Sequence, residues 1–181
     1  SFFLKSPMHH YTQVEIPINH LFQQYVMLKN AIREMGGYEA SDFLWGKVSD
    51  VAPTTSVIRL PMAHRMSNAR VTLIQGSGFA EGEWANLEKI VLTANVARKA
   101  SINLSTGEIK TAGSVENNMT IPARVNDEWR TIVVPQTVKA GTTLFSITIG
   151  GVPYKFTKNE ALTYVAGKMM NFGIKVDKQS R

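Results

Sequence analysis

The chain has 181 residues, a hydrophobic share of 44%, a formal net charge of +6 and a pI near 9.6. That length accommodates one ordinary domain plus a substantial extra segment, and the apolar share is enough for a real core. The absence of cysteine excludes disulfides, thiolate metal sites and cysteine nucleophiles, and no run of about 18 apolar residues is present to span a bilayer. Lys and Arg are scattered, without a run of five like charges, so a solvated basic surface is favoured over a nucleic-acid interface. Ser1 to Tyr11 lack the cationic start and long apolar core of a signal peptide. The chain begins at Ser1 without a Met, and is expected to be a processed product or part of a longer chain.

In chain order, Tyr11-Thr-Gln-Val-Glu-Ile reads as a short strand ending at Pro17. Asn19 to Met35 differs from everything after it. Asn19 suits an N-cap, Leu21, Phe22, Tyr25, Leu28, Ile32 and Met35 recur at helical steps, and Gly36-Gly37 supplies a stop. The spacing predicts one amphipathic helix near 20–35, packed on a β-domain. Lys29 and Arg33 are too few for a basic membrane face. Asp42-Phe-Leu-Trp-Gly is a short apolar strand candidate, and Val51 to Ser56, with Pro53, reads as a linker or long loop.

Beyond that linker the composition becomes strand-rich. Ala69, Val71 and Leu73 face one way, and Gln75-Gly-Ser-Gly is a flexible corner. Ile90, Leu92, Ala94 and Val96 again alternate. Ile102 and Leu104, the turn Ser105-Thr-Gly and the returning Ile109 form a small hairpin, and Gly113 to Asn118 reads as polar loop. Met119-Thr-Ile and Ile132-Val-Val are short strand candidates. Phe145, Ile147 and Ile149 alternate with Ser146 and Thr148. Gly150-Gly151 then predicts a two-residue turn, because both central residues of a type I′ turn need positive φ. The turn pairs Ile149 with Val152, Ile147 with Tyr154 and Phe145 with Phe156. Met170, Phe172, Ile174 and Val176 make a last alternating strand. About eight short strands over residues 56–181, with frequent turn signals, predict a mostly β fold: an antiparallel sandwich or barrel.

Catalytic chemistry is hard to find. There is no phosphate-binding Gly-Lys-Ser/Thr loop, no Gly-x-Ser-x-Gly elbow and no His-Glu-x-x-His. His9 and His10 point to opposite faces of a strand, and His64 suits a structural hydrogen bond at a strand end. Nothing fixes Glu81, Glu83, Glu88 or Asp127-Glu128 as a facing carboxylate pair. No catalytic, cofactor or metal residue is therefore assigned. Trp84 and Trp129 are candidate ligand-contact aromatics, although rings at strand entries more often close the ends of a sandwich.

Five stretches stand out: His64-Arg-Met-Ser-Asn-Ala-Arg-Val-Thr-Leu, the hairpin Leu104-Ser-Thr-Gly-Glu, Ile132-Val-Val-Pro-Gln-Thr-Val-Lys-Ala-Gly, Tyr154-Lys-Phe-Thr and Gly167-Lys-Met-Met-Asn-Phe-Gly-Ile-Lys-Val. Together they resemble the fimbrillin family, the fimbrial subunits of Bacteroides-type Gram-negative bacteria. Asp42-Phe-Leu-Trp-Gly resembles the family's motif before its C-terminal domain. The resemblance covers roughly residues 40–181.

It implies Greek-key, transthyretin-like β-sandwich domains, export as a lipoprotein precursor, an outer-membrane or fimbrial location, and proteolytic maturation. It also implies polymerisation with other subunits by strand exchange. Residues 53–181 would be the C-terminal sandwich, and residues 1–52 a partial or remodelled N-terminal segment. Met170, Phe172, Ile174 and Val176 become the candidate strand-exchange segment. The expected role is a structural or adhesive fimbrial subunit, not an enzyme. The alternative is a glycan- or host-protein-binding module on the same scaffold.

Overall fold

The computed structural model describes residues 13–17, 42–48, 57–84, 90–103, 106–112, 115–120, 123–125 and 128–178, and every regular element among them is a β-strand. In order they are β1 (Gln13–Pro17), β2 (Leu44–Trp45), β3 (Val57–Pro61), β4 (Ala63–His64), β5 (Ser67–Gln75), β6 (Val91–Ala97), β7 (Ala100–Asn103) and β8 (Glu108–Thr111). Then come β9 (Val115–Thr120), β10 (Ala123–Val125), β11 (Glu128–Val133), β12 (Gln136–Val138), β13 (Thr143–Ile149), β14 (Val152–Thr157), β15 (Leu162–Tyr164) and β16 (Met169–Val176). The helix expected near 20–35, the linker at 51–56 and His9, His10 and His20 lie outside the described residues.

Two four-stranded sheets, β10-β11-β5-β16 and β14-β13-β6-β9, enclose one core. The period-two pattern determines what enters it. Ala69, Val71 and Leu73 of β5 and Phe172, Ile174 and Val176 of β16 are buried from one sheet. Leu92, Ala94 and Val96 of β6 and Phe145 and Ile147 of β13 are buried from the other. Phe145 and Phe172 meet across the sandwich edge to face, with centroids 4.9 Å apart. Each fully buried side chain of this size stabilises the fold by about 1.5–3 kcal/mol.

The Gly150-Gly151 hairpin forms with φ of +56° and +81° and the expected register, Phe145 against Phe156, Ile147 against Tyr154 and Ile149 against Val152. The small hairpin also forms, as β7 and β8. Three expectations are amended. The chain makes more strands than the pattern announced, because β10, β12 and β15 have three residues each, too few to display a period. The stretch read as polar loop from Gly113 to Asn118 is largely β9, which pairs with β6 through backbone groups and needs no apolar alternation to do so.

The third amendment concerns direction. Most of the ladders are antiparallel, but β16 runs parallel to β5 over eight registered pairs, Met169 beside Asn68 through Val176 beside Gln75. Parallel pairing needs a long connection, and the intervening strands supply it. The two strands start together, where Asn68 N–H donates to Lys168 O at 2.9 Å and Gly167 N–H to Met66 O at 2.9 Å.

Strand β2 works on two sides. Its alternation sends Leu44 into a cluster with Leu60 and Met62, and Phe43 and Trp45 into another with Met66, Ile132 and Val134. The Arg65 guanidinium stacks 4.7 Å from the Trp45 ring centroid, a cation–π arrangement. Strand β3 pairs with β1, so residues 57–61 associate with the N-terminal strand rather than with either four-stranded sheet.

Candidate functional site

Among the described residues, one side of the sandwich is open. Strand β14 ends one sheet and β16 ends the other, and among the described residues nothing pairs with the outer edge of either. Between them runs a groove of about 1170 Å³. Ile147, Tyr154, Phe156, Ile174 and Val176 give it an apolar lining, and Lys155, Lys175, Asp177 and Lys178 supply charge. The geometry follows from alternation: on both edge strands one face turns inward and the other turns to solvent. Unpaired backbone donors and acceptors beside apolar side chains are what an extended segment needs in order to add as a further strand.

The two edges are unequal. Strand β14 carries Pro153, and proline blunts an edge; each of the two strands has one lysine, Lys155 or Lys175. Strand β16 is eight residues long and has no proline. Its Phe172, Ile174 and Val176 are buried in their own sandwich, Met170 is half-buried, and Met169 is exposed.

A turn clasps the far end of β16. Gly76 N–H donates to Val176 O at 2.8 Å, Ser77 N–H to Asp177 Oδ1 at 2.8 Å, and Lys178 N–H to Ser77 O at 2.9 Å. Ser77 Oγ–H also reaches Asp177 Oδ1, at 3.2 Å. Glycine is required here: a Cβ on Gly76 would lie 2.0 Å from Asp177 Oδ1 and 2.4 Å from Val176 O. Just beyond, Lys178 Nζ donates to Glu83, whose other oxygen accepts the Ala80 N–H at 2.7 Å. The Ser77 N–H bond holds the Asp177 carboxyl below its ordinary range, and the Lys178 hydrogen bond does the same for Glu83.

The two candidate aromatics are placed differently. Trp129, on β11, is 4% exposed within the sandwich core. Trp84 is half-buried, stacked edge to face on Phe79 with centroids 5.0 Å apart, and Phe79 in turn neighbours the groove residue Tyr154 at 6.5 Å. His64 is structural in its bonding: its Nδ1 lies 2.7 Å from Asp42 Oδ2 at the end of β4. No group of three or more His, Cys, Asp or Glu side chains among the described residues is arranged to hold a metal ion.

Sequence reasoning passed over three residues that organise this region. Ser77 and Asp177 build the clasp, and Gln136 splices two strands. Its Oε1 accepts Ala97 N–H and its Nε2 donates to Ala97 O and Val134 O, all at 2.9 Å. The Val-Pro-Gln-Thr-Val stretch is thus a structural joint. A signal for Gln136 existed in that motif; none existed for Ser77 and Asp177, whose partnership spans a hundred residues.

The comparisons agree with this architecture. A cell adhesion candidate from Bacteroides uniformis ATCC 8492 has a TM-score of 0.57 and 12% identity, with 94% of this chain and 63% of that one covered. Another, from Bacteroides thetaiotaomicron VPI-5482, has a TM-score of 0.49 and 20% identity, covering 74% of this chain and 56% of that one. A fimbrial protein from Bacteroides ovatus ATCC 8483 has a TM-score of 0.38 and 12% identity, covering 79% of this chain and 28% of that one. The chain thus spans less than two thirds of the length of these structures, and the likeness to the Bacteroides uniformis protein, at 12% identity, concerns the fold alone. No curated protein matches. The fimbrillin-like family, however, matches residues 24–181, most of the sequence, and the chain belongs to that family.

Proposed function

We propose that this protein is a structural, adhesive subunit of cell-surface fimbriae, displayed by a Gram-negative bacterium and assembled by β-strand exchange. Membership in the fimbrillin-like family makes it a structural protein rather than an enzyme. The observation that carries the assembly step is the groove between β14 and β16, apolar inside and bordered by strand edges that nothing pairs with among the described residues. A strand of a neighbouring subunit seated there would satisfy backbone groups and cover apolar surface in one step. Its partners are other fimbrial subunits, and its attachment to the outer membrane is through a lipid anchor on the precursor. In this reading residues 53–181 serve as the C-terminal sandwich. Met170, Phe172, Ile174 and Val176 belong to the strand at which exchange occurs.

The test uses the full chain, treated with a trypsin-like protease and concentrated. Concentration-dependent polymers by size-exclusion chromatography and electron microscopy are expected. Tyr154→Asp, which puts a charge into the groove, should stop their growth while the monomer keeps its melting temperature within a few degrees. Monomers at every concentration would remove the strand-exchange reading.

A further inference from the structure

Resting on that reading, we infer the chemistry of the strand that the groove accepts: one with inward apolar residues and, on its outer face, an aromatic and an acidic residue two positions apart. Strand β14 is blunted by Pro153, so the incoming strand adds to β16. The residues of β16 that face outward at the centre of that edge are Gly173 and Lys175, with Ile174 between them facing the groove. An added strand would put one outward side chain beside Gly173 and another beside Lys175, with one residue between them pointing inward beside Ile174.

Gly173 leaves a bare spot. A Cβ there would meet only Ile74 Cδ1, at 3.7 Å, and Ile74 itself is 49% exposed on the same outer face. A glycine on a strand edge beside an exposed isoleucine is a notch that an aromatic ring from the neighbouring strand covers well. Lys175 is exposed, and its ammonium lies 4.0 Å from Asp177 Oδ1, an oxygen already accepting two hydrogen bonds from Ser77. An incoming carboxylate beside Lys175 gains an opposite-charge cross-strand pair; an incoming lysine is repelled. The partner is therefore a strand unlike β16, whose own outward residues at these positions are Gly173 and Lys175, so the neighbouring subunit donates a strand other than its own β16.

Titration of the full chain with the synthetic peptide Thr-Val-Phe-Val-Glu-Val-Thr and with its reversed sequence tests this. The controls carry Lys for Glu or Ala for Phe. At least one order should bind about five-fold tighter than its Lys control and measurably tighter than its Ala control, as two cross-strand pairs predict. With Lys175→Glu the charge preference should invert. Because the charge is swapped on the peptide as well as on the protein, the result does not depend on how well that variant folds. Equal binding of the acidic and lysine peptides would overturn the inference, as would binding of a residue 169–176 peptide as tightly as the best acidic one. If polymers form while the peptides show no charge preference, the partner chemistry fails and strand exchange stands. If neither is seen, both fail.

Discussion

Asp177 accepts a hydrogen bond from the backbone N–H of Ser77 at 2.8 Å, across a hundred residues of sequence. That bond ties the end of the last strand to the turn that follows β5, its parallel neighbour. The two strands are thus pinned at both ends, by Lys168 and Asn68 at the start and by the clasp at the finish.

Asp177→Ala should loosen the end of β16 and leave its start intact. Amide exchange measured residue by residue should rise at Gly76, Ser77 and Lys178 and stay unchanged near Asn68. Acid should imitate the variant. Asp177 and Glu83 both have folded pKa values depressed below their ordinary ones, so their contribution is fully present above about pH 5 and is lost as pH falls through the folded values. The expected loosening therefore lies on the acid side; protection that stays equal to its neutral-pH level once both carboxyls are protonated would count against the clasp.

Two glycines next to the same strand should respond in opposite ways to alanine. Gly76→Ala drives a Cβ into Val176 O and Asp177 Oδ1 and should destabilise by about 1–3 kcal/mol. Gly173→Ala meets only Ile74 at van der Waals distance and should be neutral or stabilising by about 0.5–1 kcal/mol, since glycine weakens a strand interior. Urea unfolding of the two variants decides this; a shared sign would contradict the described turn.

Tyr164 is 1% exposed, and its hydroxyl has no hydrogen-bond partner among the described residues. Burial accordingly raises its pKa above the usual phenol range. Tyr164→Phe removes an unsatisfied polar atom while keeping the ring near Phe172, and should stabilise the chain by up to about 1–3 kcal/mol. A lower melting temperature in the variant would show that the hydroxyl has a partner.

The tryptophans separate core packing from ligand binding. Trp129→Ala should cost about 3–5 kcal/mol of stability. Trp84→Ala, at a half-buried ring beside the groove, should cost less. Glycan-array binding of the intact chain that disappears with Trp84→Ala at unchanged melting temperature would support the alternative of a glycan-binding module. Parallel loss of both properties would assign that ring to packing.

Much of the sandwich was legible because alternation is a local signal. Phe145 to Phe156 with Gly150-Gly151 between them carries its own register, since a two-residue turn with two positive φ values admits one pairing of the flanking strands. The buried faces of β5, β6 and β16 could be read the same way. The short strands could not, and neither could β9, whose sequence Val-Glu-Asn-Asn-Met-Thr shows no apolar period although its backbone pairs with β6. The groove was half legible: its apolar residues were on the page, but not that β14 and β16 would end adjacent sides of the sandwich.

What the sequence alone determined was which face of each long strand is apolar, where the tight turns fall, and that the phosphate-loop, nucleophile-elbow and His-Glu-x-x-His patterns do not occur. Those properties depend on residues within a few positions of one another. The tertiary structure decided the parallel direction of β16, the clasp between Ser77 and Asp177, the splice made by Gln136, and the open groove. Each of these joins residues far apart in the chain, so each depends on how the two sheets close around the shared core rather than on any local pattern.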